Sequence, residues 1–538
     1  MIAIEDQVID QVFRAAAARW PEHDFLVTPR RDGAPILALT YRQVMEKVEK
    51  YAAALDRAGY GPGQRAAVLL GTGPEHYIVK LALNRLGLSC VPVNPDYRAG
   101  ELAYLLQDSA AVLAIADAPR AELMQAGLAE AGTGAVFARF ETMLEDLPSA
   151  PTAAPGGKIG PESEASLLYT SGTTGRPKGC ILTHAYELMV GAAYPRIGPP
   201  VSLGEKDRVF NPLPAFHINA GVVTFLGVMM SGAALIQPER FSATTWWRDI
   251  RETRATIFHY LGVVISVLMA DRTAGPEQLG DLRAGIGAGV EPALHVAFEE
   301  HFGIPLIELW GMTEMCRVIV MWREPRQPDT RAFGRADGDP GALEVQVWDD
   351  AGREVPPGTP GEMVLRHSAA TPRRGFFAGY LNKPEATEEA WAGGWFHTGD
   401  TVVMDEDDIL YFIDRKKNII RRAGENIAAA EVENVLLSDD RVVNVACVAA
   451  LDEIREEEVL ACIVLADGVP ADCETGQSIV RQAAEKLSYF KVPGWILFVD
   501  ALPVTGTQKV VKHKLFAAGE DPRERPGILD LRSLKKRG

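Results

Sequence analysis

The chain has 538 residues, 47% apolar and 24% charged, a balance that fills several compact cores without disulfide or metal staples and excludes intrinsic disorder. Its 55 Lys and Arg stand against 72 Asp and Glu, a net charge of −17 that repels a polyanion and argues against nucleic acid as a partner. The six cysteines are far apart, with neither a C-x-x-C pair nor zinc-like His spacing, which points to a reducing cytosol and a cytoplasmic protein.

The chain opens with Glu5, Asp6 and Asp10 where a signal peptide would need a basic and then an apolar stretch, so export is not expected. From position 64 the texture alternates: strand-like AAVLLG, an amphipathic helical stretch over 76–86, strand-like SCVPV, helical ELAYLLQ and strand-like AVLAIA. Short apolar runs between helical segments predict a parallel sheet covered by helices. The same rhythm returns over 246–310, where WWRDIRET leads to ATIFHYL and HVAFEEHFG leads to PLIELW. The segment 220–236 runs for 17 residues without a charge, but a spanning helix needs about 20 and Gly221, Gly227 and Gly232 interrupt it. It reads as a buried helix entering a strand, and no transmembrane segment is expected.

After Phe333 two alternating runs, ALEVQVW and GEMVLR, are joined by Asp, Gly and Pro turns, the pattern of a small antiparallel β subdomain. A third texture begins at Asn418: helix AAEVENVLL, strands NVACVAAL and VLACIVLA, helix IVRQAAEKLS and a basic end. The domain boundary falls near 414–418. The basic runs at 415–417 with Arg421 and Arg422, at 509–514 and at 535–537 are of a size to serve a nucleotide or cofactor phosphate.

The stretch richest in chemistry is LLYTSGTTGRPKG at 167–179. Its glycines let backbone approach a phosphate, its hydroxyls and amides donate to phosphate oxygens, and Lys178 adds charge. It is not the P-loop of nucleotide hydrolases, because Pro177 stands where that pattern requires glycine, and GIGAG at 285–289 fails G-x-G-x-x-G. A polar surface loop is the plain alternative.

LLYTSGTTGRPKG resembles the phosphate-binding signature of the adenylate-forming superfamily of acyl-CoA synthetases, luciferases and peptide-synthetase adenylation domains. ELWGMTE (308–314), GWFHTGD (394–400), DRKKNIIRRAGENI (414–427) and LPVTGTQK (502–509) resemble further motifs of that family in the expected order. The wording of PLPAFH and IIRRAGENI is similar to crotonobetaine/carnitine and medium-chain acyl-CoA ligases. The resemblance implies an α/β fold: a large N-terminal adenylation core over 1–414, made of stacked α/β sheets and a small β-barrel-like subdomain. A small mobile α+β domain would follow over 415–538, hinged near Lys417.

It also implies roles residue by residue. Thr170, Ser171, Gly172, Thr173, Thr174, Gly175 and Lys178 would cradle the ATP phosphates. Glu314 would hold Mg²⁺, suited to a hard cation whose other ligands are phosphate oxygens, and Thr313 would hydrogen-bond the α-phosphate beside Gly311 and Met312. Adenine would lie between Gly287, Ala288, Gly289, Glu291 and Pro292 and the ring of Trp310. Asp400 would accept from both ribose hydroxyls, with Arg415 as a second contact. Lys509 would bridge the carboxylate and the α-phosphate; an ammonium attracts each by about 4 kcal/mol at 4 Å and an effective dielectric near 20.

Arg421, Gly424 and Glu425 would line the coenzyme A pantetheine tunnel, where Ala423 replaces a frequent glycine, as Gln508 does beside Lys509. His217 would lie near the substrate carboxylate, with NAGVV as one wall of the acid site and FHYLGVV with Gly285 as another. Tyr260 or Trp310 would offer a ring to a trimethylammonium group.

The implied reaction is ATP-dependent acid:CoA ligation through an acyl-adenylate, with ATP, Mg²⁺ and coenzyme A, on a small carboxylic acid of apolar or weakly polar body. The resemblance is compatible with a homodimer. Two alternatives stand beside it: adenylation for a carrier protein in trans, and a non-catalytic nucleotide-binding scaffold.

Overall fold

A computed structural model describes residues 4–535 except 5, 32, 171–175, 272, 316–318, 337–342, 350, 416–418, 504–511, 513–514 and 518–519. The side chains of 414, 415, 419, 426, 428 and 430 also lie outside the description. By its internal contacts the chain divides into two units. The first comprises Met1–Pro95, Leu105–Leu168 and Gly179–Asp414, the second Asp96–Tyr104, Tyr169–Lys178 and Arg415–Gly538.

The first unit carries an eight-stranded sheet in the order Ile319–Val320, Leu306–Trp310, Ala284–Ala288, Ile257–Leu261, Arg208–Phe210, Ala234–Ile236, Asp24–Thr28, Leu37–Thr40. Its interior pairs are parallel and its two end pairs antiparallel. Because parallel strands are covered on both faces, Ile257–Tyr260 and Ala284–Gly287 are buried without interruption. A seven-stranded sheet runs Gly379–Tyr380, Lys178–Thr183, Glu164–Thr170, Ser89–Pro92, Arg65–Leu69, Leu113–Ala116, Val136–Arg139. The helix-and-strand alternation read from position 64 is this sheet. The helix Pro74–Arg85, expected to be amphipathic, is instead buried at Pro74 and throughout His76–Asn84, with Glu75 exposed in its first turn. Its polar side chains are satisfied inside: Lys80 meets Glu187 at 2.9 Å, and Asn84 donates to Ala165 O at 2.7 Å.

The charge-free segment 220–236 becomes a π-helical turn Asn219–Thr224, a helix Phe225–Ser231 and the strand Ala234–Ile236. Thus the expected buried helix and strand are present, with a π turn at their start. ALEVQVW and GEMVLR form the antiparallel strands Glu344–Trp348 and Gly361–Arg366 of a five-stranded sheet.

The second unit has a sheet in the order Glu425–Ala428, Ile419–Arg422, Glu456–Leu465, Trp495–Phe498, Leu529–Asp530, with Val442–Asp452 also paired to Glu456–Leu465. Helices Ala429–Leu436 and Cys473–Lys486 contribute Val432, Leu436, Ile479 and Val480 to its core. No helix among the described residues is long and apolar enough to cross a membrane.

Candidate active site

In open α/β sheets, ligand sites form beyond the carboxyl ends of parallel strands, and two such ends meet here. Ala284–Ala288 runs into Gly289 and then the helix Pro292–Phe302, with Pro292 at its first turn and Glu291 as its N-cap. Leu306–Trp310, paired beside it, runs into Gly311 to Glu314. At Gly287 a side chain is sterically barred: an added Cβ would lie 2.2 Å from Tyr260 O. Gly289 has φ +79°, a conformation that favours glycine.

Trp310 is buried and its Nε1 donates to Asp400 Oδ2 at 2.8 Å. Asp400 lies within the strand Phe396–Met404 at a register irregularity against Gly361–Arg366. Glu362 secures that bulge by accepting from Gly399 N at 3.0 Å, and Gly399 itself has φ +72°. The T-G-D triplet at 398–400 is therefore a bulge that sets one carboxylate against the indole.

Thr313 and Glu314 are held from two directions. Tyr186 OH donates to Thr313 O at 2.7 Å. Tyr380 OH donates to Glu314 Oε1 at 2.7 Å, and Phe377 N donates to Glu314 O at 2.9 Å. The Glu314 side chain is buried. Burial and this carboxylate raise the Tyr380 phenol pKa and keep it protonated as a donor. Among the described residues no three His, Cys, Asp or Glu side chains cluster to hold a metal. A hard cation held by the Glu314 carboxylate would draw the rest of its shell from substrate oxygens and water, a donor set that fits Mg²⁺.

Glu308, to which no separate role was given by sequence, is a third carboxyl of this region. It accepts from Tyr260 OH at 2.7 Å and from Gly289 N at 2.9 Å. Desolvation pushes its pKa up to about 7 against those two donors. A carboxylate between Ile307 and Leu309 in a buried strand was the available signal.

Other expectations fare unevenly. Thr170 closes the strand Glu164–Thr170, and Lys178 opens Lys178–Thr183. Within the second unit, Tyr104 OH donates to Pro177 O at 2.9 Å, with Arg176 5.0 Å above the Tyr104 ring. Ser171, Gly172, Thr173, Thr174, Gly175, Lys417 and Lys509 lie outside the described residues, as does the Arg415 side chain. Lys512 pairs with Glu433 at 2.6 Å. The Glu291 side chain is exposed and pairs with Arg331 at 2.5 Å.

Arg421 N donates to Glu457 at 2.5 Å. Ala423 and Gly424 form the two-residue turn between the paired Arg422 and Glu425, with φ +49° and +88°. Arg422, grouped by sequence with the phosphate-serving cations, is instead buried on Glu458 at 2.7 Å, and Lys535 of the basic tail reaches the same carboxylate. A buried acid draws both cations inward because its own desolvation needs compensation.

His217 N donates to Pro214 O at 3.1 Å and its carbonyl accepts from Gly221 N at 2.9 Å, leading into the π turn. Asn211 braces that turn through Asn219 Oδ1 at 2.9 Å and Thr224 Oγ1 at 2.8 Å. The first half of the second expected wall, Phe258 to Tyr260 with Gly285, packs into the core instead. Phe258 and Gly285 face the core, since a Cβ on Gly285 would lie 2.6 Å from Phe258 and 2.7 Å from Leu306. Tyr260 is fully buried with its hydroxyl on Glu308, so its ring is not presented to a ligand. Strand alternation sends His259 to the opposite face, where Nε2 lies 2.7 Å from Tyr194 OH.

The AMP-binding enzyme family model matches residues 13–381, and the AMP-binding enzyme C-terminal domain matches 431–509. The chain belongs to the AMP-binding enzyme family. It is 30% identical over 505 residues to a sulfoacetate–CoA ligase of Cupriavidus necator, covering 93% of this chain and 95% of that one. It is 28% identical over 499 residues to a crotonobetaine/carnitine–CoA ligase of Escherichia coli, covering 90% and 94%. The fold is that of o-succinylbenzoate CoA synthetase from Bacillus subtilis, with TM-score 0.80, 23% identity and coverage of 95% and 98%.

Proposed function

We propose that this protein is an AMP-forming acid:CoA ligase. The observation that carries the reading is the placement of Trp310–Asp400 and Thr313–Glu314 at one strand end, within a chain that matches CoA ligases along nearly its whole length.

In the first half-reaction a carboxylate oxygen attacks the α-phosphorus of ATP. The new C–O–P linkage forms as the α–β phosphoanhydride breaks, and pyrophosphate leaves. Trp310 stacks on adenine, Asp400 accepts from the ribose, and Thr313 donates to the α-phosphate. The loop at 170–178 with Lys178 cradles the phosphates. Mg²⁺ on Glu314 neutralises phosphate charge when bound. Lys509 attracts both reacting anions and so lowers their repulsion. In the second half-reaction the thiolate of coenzyme A attacks the acyl carbonyl, the bond to AMP breaks, and the thiol proton passes to solvent. The domain over 415–538 turns at Lys417 to exchange Lys509 for the Arg421–Glu425 hairpin. A cytoplasmic location suits this use of ATP and CoA. The acid contacts His217 and the π turn after it, and its body is apolar or weakly polar.

The test is AMP and pyrophosphate release with ATP, Mg²⁺ and a panel of sulfonated, betaine-type, short, medium-chain and aryl acids, with and without CoA. Thioester formation with one acid class is expected. Pyrophosphate release that ignores CoA overturns the ligase assignment in favour of adenylation for a carrier protein, and no release with any acid favours a binder.

A further inference from the structure

Thr313 and Glu314 are tied to elements that flank one strand. Lys178–Thr183 leaves the Gly-rich loop and is followed directly by the helix His184–Ala193, which carries Tyr186. Its antiparallel neighbour is Gly379–Tyr380, with Tyr380 opposite Cys180. From these two neighbours come the hydroxyls on Thr313 O and Glu314 Oε1, each at 2.7 Å. The chain just before Tyr380 also grips the same pair by backbone: Phe377 N donates to Glu314 O at 2.9 Å, and Met315 bridges Phe376.

A carboxylate that must receive a cation is most effective when one oxygen is already committed and its rotamer is thereby fixed, and partners of this kind commonly tune metal affinity. We infer that Tyr380 is a positioning residue for the cation: its hydroxyl fixes one oxygen of Glu314 and registers the carboxylate to the strand leaving the phosphate loop, so that Glu314 would hold a nucleotide-bound metal from one side-chain conformation. Tyr186 does the same for the backbone of Thr313. This inference rests on the proposed reading of Glu314 as the cation ligand. The Tyr380 ring also packs edge-on against Phe377 at 4.7 Å, and Phe at this position keeps that contact while removing the donor.

The experiment uses the full chain with a non-hydrolysable ATP analogue and Mn²⁺, following bound Mn²⁺ by electron paramagnetic resonance alongside the Mg²⁺ dependence of pyrophosphate exchange. Tyr380→Phe is expected to weaken Mn²⁺ binding in the ternary complex about tenfold or more. The KM for the nucleotide at saturating metal should change less than about threefold, the pattern of lost metal orientation with nucleotide binding retained. Glu314→Gln should weaken Mn²⁺ binding at least as much, and adding Tyr380→Phe to it should have no further effect. Unchanged Mn²⁺ binding in Tyr380→Phe beside a loss in Glu314→Gln overturns the positioning role alone. Unchanged binding in Glu314→Gln overturns the cation reading, and this inference with it. A fall in thermal midpoint with Mn²⁺ affinity intact marks Tyr380 as structural only and overturns the role.

Discussion

The indole N–H of Trp310 is directed onto the carboxylate of Asp400 at 2.8 Å, two buried side chains 90 residues apart in the chain. Their bond joins the residue proposed to stack on adenine to the residue proposed to hold the ribose. Trp310→Phe keeps a stacking ring and removes only the donor. A hydrogen bond to a charged acceptor contributes about 1.5–3 kcal/mol, so the KM for ATP should rise about tenfold, 1.4 kcal/mol being a factor of ten, with kcat little changed. Steady-state kinetics with ATP varied checks this; an unchanged KM would show that Asp400 is placed without the indole.

Glu308 is an acid whose folded pKa, about 7, lies above its ordinary value because of desolvation. The folded state then binds more protons than the unfolded one between the two pKa values, so this group's contribution is fully present below about 4.5 and is lost as pH rises through about 7. Glu308→Gln cannot ionise. Its stability should therefore gain on that of the wild type as pH rises from 5 to 8, as read from denaturant midpoints across that range. Parallel curves for the two proteins would remove Glu308 as a buried titrating group.

Lys80 and Glu187 meet at 2.9 Å with side chains 3% and 0% exposed, and Lys80 also reaches Ser166. Removing one partner strands a buried charge. Glu187→Ala should cost about 3–5 kcal/mol, while Lys80→Met with Glu187→Leu should recover most of it, as apolar replacement of a buried pair often does. Thermal unfolding of the three proteins distinguishes these values, and equal losses in the single and double variants would contradict the account.

Ala423 sits at φ +49° in a turn whose two central residues both have positive φ. Left-handed backbone costs an ordinary residue about 1–2 kcal/mol, and glycine adds back about 0.4–1 kcal/mol through the entropy of the unfolded chain. Ala423→Gly should thus stabilise the hairpin by roughly 0.5 kcal/mol. Hydrogen exchange at the Arg421–Glu425 amides should slow; faster exchange would mean that the alanine is not strained.

Lys509 is assigned to the first half-reaction alone. Lys509→Ala should lower acid-dependent pyrophosphate exchange by several orders of magnitude while a supplied acyl-adenylate is still converted to thioester. An equal loss in both half-reactions, followed by single-turnover assays, would defeat that division of labour.

Much of this molecule was legible because its signals are local. The apolar runs at 65–69, 113–116 and 257–261, the helix at 246–253 and the hairpin 344–366 all stand where periodicity and turn residues put them, and ELWGMTE and GWFHTGD singled out Trp310 and Asp400, which the fold joins by a hydrogen bond. The limit was reached where burial departs from pattern. Helix Pro74–Arg85 buries Lys80 in an ion pair that requires Glu187 from another helix, and Phe258 and Gly285, expected at a ligand wall, pack on each other in the core.

Sequence by itself determined the repertoire of the protein: its strands and helices, its family, and the side chains available for nucleotide chemistry. Tertiary structure alone decided which of them meet. It put Asp24–Thr28 beside Ala234–Ile236, brought Tyr186 and Tyr380 to Thr313 and Glu314 across 127 and 66 residues of chain, and turned Arg422 and Lys535 onto one buried acid. Periodicity reports what a residue prefers within a few neighbours, whereas a buried polar group takes its partner from whichever segment the packed fold carries past it.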